Sequence, residues 1–99
     1  MSDAADFGFT APAFKPDDAL VQLKRSLRDL LLAERGNAFE LRGKRVVELA
    51  VDGAVIAARL ARKPALTPEW DRHNVGSAPD MRKLIDEVKK RLARWEREE

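Results

Sequence analysis

The dipeptide Asp52-Gly53 narrows the choice of fold more than any other feature of this chain. An Asp-Gly pair between alternating apolar runs is among the strongest short-range hairpin signals, because both positions of a tight two-residue loop favour φ > 0. Read as such a loop, it sets Val51 opposite Ala54, Leu49 opposite Ile56, Val47 opposite Ala58 and Arg45 opposite Leu60. Side chains alternate along a strand, so Val47, Leu49, Val51, Ile56, Ala58 and Leu60 share one face. That face is expected to line the core. A second turn is expected around Arg42-Gly43-Lys44. A plain two-residue loop there would set Phe39 beside Val46 and turn it away from the core. An odd count, as in a bulged turn, pairs Phe39 with Val47 and keeps Phe39 and Leu41 inward. The odd register is the expected one.

The opposite face carries Val46, Glu48, Ala50, Val55, Ala57, Arg59 and Ala61. A solvated antiparallel face normally reads polar at such positions. Here five of the seven are small or apolar.

Helical patterns flank the strands. Pro16-Asp17-Asp18 suits a first turn, with proline at a position that needs no N–H and carboxylates at the positive end of the dipole. Leu20, Leu23, Leu27, Leu30 and Leu31 then form an apolar stripe. Gly36, after Arg35, is expected to end that helix in a left-handed conformation. Residues 64–79 are rich in proline and turn formers, but Glu69 to Val75 reads as extended. It is expected as a short fourth strand or a covering loop, anchored by Trp70. Asp80 is the expected N-cap of a second helix. Met81, Leu84, Ile85, Val88, Leu92 and Trp95 recur at helical spacing. Opposite-sign pairs Arg82/Asp86, Lys83/Glu87, Asp86/Lys90 and Glu87/Arg91 mark its solvated side.

The fold class that results is α+β, in the order α-β-β-β-(β)-α. An antiparallel meander of three to four strands has two helices packed on one face. Residues 1–15 are expected as a flexible N-terminal tail and residues 16–99 as a single α+β domain. Phe7, Phe9 and Phe14 lie in that tail, and folding them back over the sheet is the alternative.

Several chemistries are excluded or disfavoured by residue inventory. Cysteine is absent, which removes disulfides, thiolate catalysis and cysteine-ligated metals. The five glycines are scattered, and none builds a phosphate-cradling loop. No apolar run approaches the roughly 18–20 residues a spanning helix needs. Asp3 and Asp6 stand where a secretory leader would be basic, so a cytoplasmic location is expected. Ser77, His73 and Asp71 could be assembled on paper into a catalytic trio, but a triad is defined by geometry. Glu69, Asp71 and His73 would share a strand face and are legitimate metal ligands, yet three residues of one short strand rarely wrap a metal, and a polar, solvent-facing strand edge is the expected reading. No catalytic residue, metal or cofactor is expected.

Two functional classes remain. The helix–three strands–helix order is similar to that of the double-stranded RNA-binding domain. That family carries a Gly-Pro-x-His loop between its first strands and a lysine cluster opening its last helix. Here the corresponding stretches are Arg42-Gly43-Lys44 and Asp80-Met81-Arg82-Lys83, so the likeness stops at topology. Nucleic-acid binding would then rest on Arg42, Lys44, Arg45, Arg59, Arg62 and Lys63 converging into a phosphate-tracking patch. The net charge of +2 makes this a mild tendency. The favoured class is a non-enzymatic protein-interaction module. It would bind an unknown protein partner, or a second copy as a homodimer, through the outer sheet face or an edge strand. Its candidate interface residues are Val46, Ala50, Val55, Ala57 and Arg59.

Overall fold

The alternating runs fold into a sheet with one covered face, seen in a computed structural model that describes residues 14–98. Helix α1 spans Pro16–Asp29 and α2 spans Ala78–Arg97. Between them lie β1 (Ala33–Arg35), β2 (Ala38–Leu41), β3 (Lys44–Asp52), β4 (Val55–Ala61) and β5 (Trp70–Val75). Each strand pairs with its chain neighbours, giving a five-stranded antiparallel meander in the order β1-β2-β3-β4-β5. The expected α+β class and the extended reading of residues 69–75 both hold. The sheet has one strand more than the upper expectation.

That extra strand is β1, and it comes from an earlier end to α1. The helix stops at Asp29, not at Gly36, and Leu31 takes the left-handed conformation with φ 67°. Leu32 turns into the core, and Glu34 then receives Arg28 at 2.7 Å and Lys24 at 3.5 Å from the preceding helix. Gly36 serves instead in the tight β1–β2 turn, between the paired residues Arg35 and Ala38. A three-residue strand is too short to show a period, so the leucine stripe runs past the real helix end unseen.

Leu31 is unusual twice over, being left-handed and 89% exposed. A left-handed conformation costs a residue with a Cβ about 1–2 kcal/mol, while glycine costs about 0.5–1 kcal/mol of extra chain entropy. With little burial to lose, Leu31→Gly is expected to raise stability by roughly 0.5–1 kcal/mol. A thermal melt checks this, and a lower Tm would contradict it.

Both long hairpins depart from the simplest register in an instructive way. In the β3–β4 hairpin, Asp52 pairs with Val55, so the loop is Gly53-Ala54 and not Asp52-Gly53. Val51 accordingly meets Ile56, Leu49 meets Ala58, and Val47 meets Leu60. Of the two loop residues only Gly53 has positive φ, at 63°, which suits a turn with glycine first and leaves Asp52 extended. The register moves by an even number of residues, so every side chain keeps its expected face. In the β2–β3 hairpin, Arg42 and Gly43 both take positive φ, 54° and 82°. Phe39 pairs with Val47 as expected, but the odd residue is a bulge on β3 and not part of the turn. Phe39 pairs with Val47 and Glu40 with Arg45, leaving Val46 as the additional residue.

The bulge corrects one expectation directly. Two adjacent residues at a bulge can turn to the same side of the sheet. Val46 and Val47 are both about 1% exposed and both belong to the core. Val46 is therefore not on the outer face. The core it joins also holds Phe39, Leu23, Leu27, Ile56, Leu60, Leu84 and Val75. Phe14 packs against it from the chain start, whereas Phe7 and Phe9 lie outside the described residues.

Helix α2 opens at Ser77, not Asp80. The Ser77 hydroxyl accepts from the Asp80 N–H at 3.3 Å, while the Asp80 carboxylate accepts from the Gly76 N–H at 3.0 Å. This is a reciprocal cap in which Asp80 is the third helical residue. Among the described residues, no helix is long and apolar enough to cross a membrane.

Candidate interaction face of the sheet

The pairing pattern sorts the side chains of β3, β4 and β5 into two sets. Cross-strand partners share a face, so Ile56 and Val75, Ala58 and His73, and Leu60 and Asp71 belong together. Asp71 reaches Arg91 of α2 at 2.9 Å, which identifies this set as the helix-covered side. The other set consists of Ala57 with Ala50 and Asn74, Arg59 with Glu48 and Arg72, and Ala61 with Trp70.

On this second, outer side the ends differ. Towards the Trp70 end, Ala61 is fully buried, opposite Trp70, and the Arg59 guanidinium lies 5.2 Å from the indole centroid. Glu48 accepts from Arg59 and pairs with Arg45 at 3.2 Å. Indole, guanidinium and carboxylate thus hold one another in place, through a cation–π contact and an ion-pair chain. Towards the β3–β4 turn, the sheet is left uncovered by the described residues. Ala50 is exposed, Val55 and Ala57 are half-buried, and a shallow hollow of about 490 Å³ is floored by Ala50 and Ala57. Glu48, Asp52, Arg59, Arg72 and Asn74 rim it. Of the expected interface residues, Ala50, Val55, Ala57 and Arg59 stand on this face, and Val46 does not.

The cations considered for nucleic acid are distributed over both sides of the sheet and its turns. Arg45 and Arg59 share Glu48 on the outer face. Arg62 lies on the helix side, 2.8 Å from Asp71 and 3.6 Å from Glu69. Lys44 and Lys63 flank a recess beside Trp95 and Glu98, and Arg42 lines a different recess with Leu31, Leu92 and Glu96. Lys44 also lines a recess with Arg45, next to Glu48 and Trp70.

The helix side contains a polar cluster that the sequence reading assigned to solvent. Arg91 is only 8% exposed. It donates to the carbonyls of Ala61 at 3.0 Å and Leu60 at 3.5 Å, to Glu87 at 2.8 Å, and pairs with Asp71 at 2.9 Å. The Trp95 indole N–H donates to the Arg62 carbonyl one turn further along α2. Arg91 thereby ties α2 to the end of β4 and to β5. A signal for it was present, since Leu84, Val88, Arg91 and Trp95 lie at helical spacing on one stripe. Arg62, with Arg91 behind it, holds the Asp71 carboxyl below the usual carboxylate range. Arg91 does the same to Glu87, and Arg28 to Glu34. Both Asp71 oxygens are engaged by guanidinium groups, whereas Glu69 is largely exposed and meets Arg62 only at 3.6 Å. His73 faces the helix side with its Nε2 buried and without a hydrogen-bond partner among the described residues.

Fold and open face together define an α+β protein built on a five-stranded antiparallel meander, helices on one side and a small-residue hollow on the other. No protein-family model, curated protein or solved structure gives a significant match to this chain.

Proposed function

We propose that this chain is a non-enzymatic, cytoplasmic protein-interaction module whose docking surface is the open outer face of the sheet. The observation that carries this reading is the floor of Ala50 and Ala57 beside half-buried Val55, where a solvated sheet face would present long polar chains. Small side chains let another backbone approach closely, and the ion-paired Arg59 and Glu48 at the rim offer polar contacts. The nucleic-acid alternative is weaker, because Arg45, Arg59 and Arg62 already pair with carboxylates of the same chain, Arg45 and Arg59 sharing the one Glu48.

Site-specific photo-crosslinking in cells tests the reading. A photoreactive residue replacing Ala50 is expected to give protein adducts, whereas one replacing Arg82, exposed on the helix side, is not. The Ala57→Glu variant, placing a carboxylate on the hollow's floor, is expected to remove the Ala50 adducts. Adducts from position 82 alone, or none from position 50, would overturn the docking role of this face.

A further inference from the structure

Asp52 and Arg72 are exposed, both rim the hollow, and neither has an ionic partner among the described residues. Their positions are related through Ala57. Asp52 pairs with Val55 on β4, and Arg72 pairs with Arg59 on the other side of the same strand. Ala57 sits midway between Val55 and Arg59, so it lies at the centre of the diagonal from Asp52 to Arg72. Strand spacing and rise make that diagonal about 17 Å long.

We propose that the occupant of the hollow is a second copy of this chain, stacked face to face about a twofold axis that passes through Ala57. The proposal rests on the docking reading above and names its partner. A twofold axis lying in the interface, perpendicular to the Asp52–Arg72 diagonal, brings Asp52 of each copy onto Arg72 of the other. Both cross-pairs form together, as an isologous contact requires. Ala57 then meets its own counterpart on the axis, where a larger side chain would hold the two sheets apart. Because the axis is oblique to the strands, the two sheets cross steeply, the orthogonal kind of sheet packing. The Arg59–Glu48 pairs stay within each copy. Opposite charges at the two ends of one diagonal favour a copy of the same surface over a partner carrying one sign of charge.

Sedimentation equilibrium on the purified full chain tests the proposal. Wild type is expected to dimerise reversibly. Asp52→Arg and Arg72→Asp, each placing like charges across the axis, are expected to weaken the dimer by about tenfold or more. Combining them restores opposite signs, and dimerisation is expected to return to within about threefold of wild type. Both positions are exposed, and circular dichroism verifies that the variants stay folded. A wild type that remains monomeric to roughly millimolar concentration, near −4 kcal/mol of association energy, overturns the proposal. So does a dimer indifferent to the single exchanges, or one not recovered by the double exchange. Crosslinked adducts at Ala50 with a different protein, alongside a monomeric purified chain, would refute the second copy and leave the docking face standing. Absence of adducts would remove both.

Discussion

Replacing Arg91 by methionine is expected to lower stability by about 3 kcal/mol, the usual scale for removing one member of a buried ionic network. Methionine fills much of the aliphatic volume of arginine, so the loss reads the guanidinium and not a cavity. Two carbonyls, of Leu60 and Ala61, lose a buried donor, and α2 loses its tie to β5 through Asp71. Arg91→Lys is expected to recover only part of this, because one ammonium cannot span two carbonyls and two carboxylates as a planar guanidinium does. Urea denaturation checks it, through a lower midpoint at an unchanged slope.

The same variant should change how stability depends on pH. Asp71 and Glu87 have folded-state pKa values depressed by arginine, so their contribution is fully present above the ordinary carboxylate range. It is lost as pH falls through the depressed folded values. Arg91 is the leading cause for Glu87 and a supporting one for Asp71. The gap between wild type and Arg91→Met is therefore expected to be widest near neutrality and to narrow on acidification. A gap that widens on acidification would show that the ion pairs do not act as drawn.

Phe39→Ala is expected to have the larger effect, about 4 kcal/mol, since the ring is fully buried in the middle of the core. A domain of this size commonly has only about 5–15 kcal/mol in total, so this variant should be marginally folded. Phe39 also marks the register, lying opposite Val47 at the bulge. Without the ring, the advantage of that pairing over the plain two-residue register shrinks. Hydrogen exchange should then show β2 amides losing protection more than those of β4. Uniform loss across the sheet would mean that Phe39 stabilises the core without selecting the register.

How much of this was legible beforehand depends on the range of the interaction. The β3–β4 hairpin was readable because its signals are local, with glycine at a turn and alternation on both sides. Even the misplaced loop did no harm, because an even shift preserves faces. Helix α2 was readable from its stripe, although its cap falls at Ser77. Strand β1 was not readable, because three residues carry no period and the leucine run continued past the helix end. Val46 was misassigned because strict alternation cannot foresee on which strand a bulge will place its additional residue.

The candidate face divides in the same manner. Its small-residue floor, Ala50 and Ala57, with Val55 beside it, followed from alternation alone. That Trp70 and Arg59 close one end of it, while Asp52 and Arg72 stand across the other without an ionic partner among the described residues, depends on β5 lying against β4. Arg91 looked like one half of a surface pair until packing brought the end of β4 over it. The sequence by itself determined the order of elements and the apolar side of each, because backbone turns and side-chain periodicity act over a few residues. Only the tertiary structure decided which charges are paired, which valine is hidden and which face the helices leave uncovered. Those outcomes depend on contacts between residues far apart in the chain, and no local pattern encodes them.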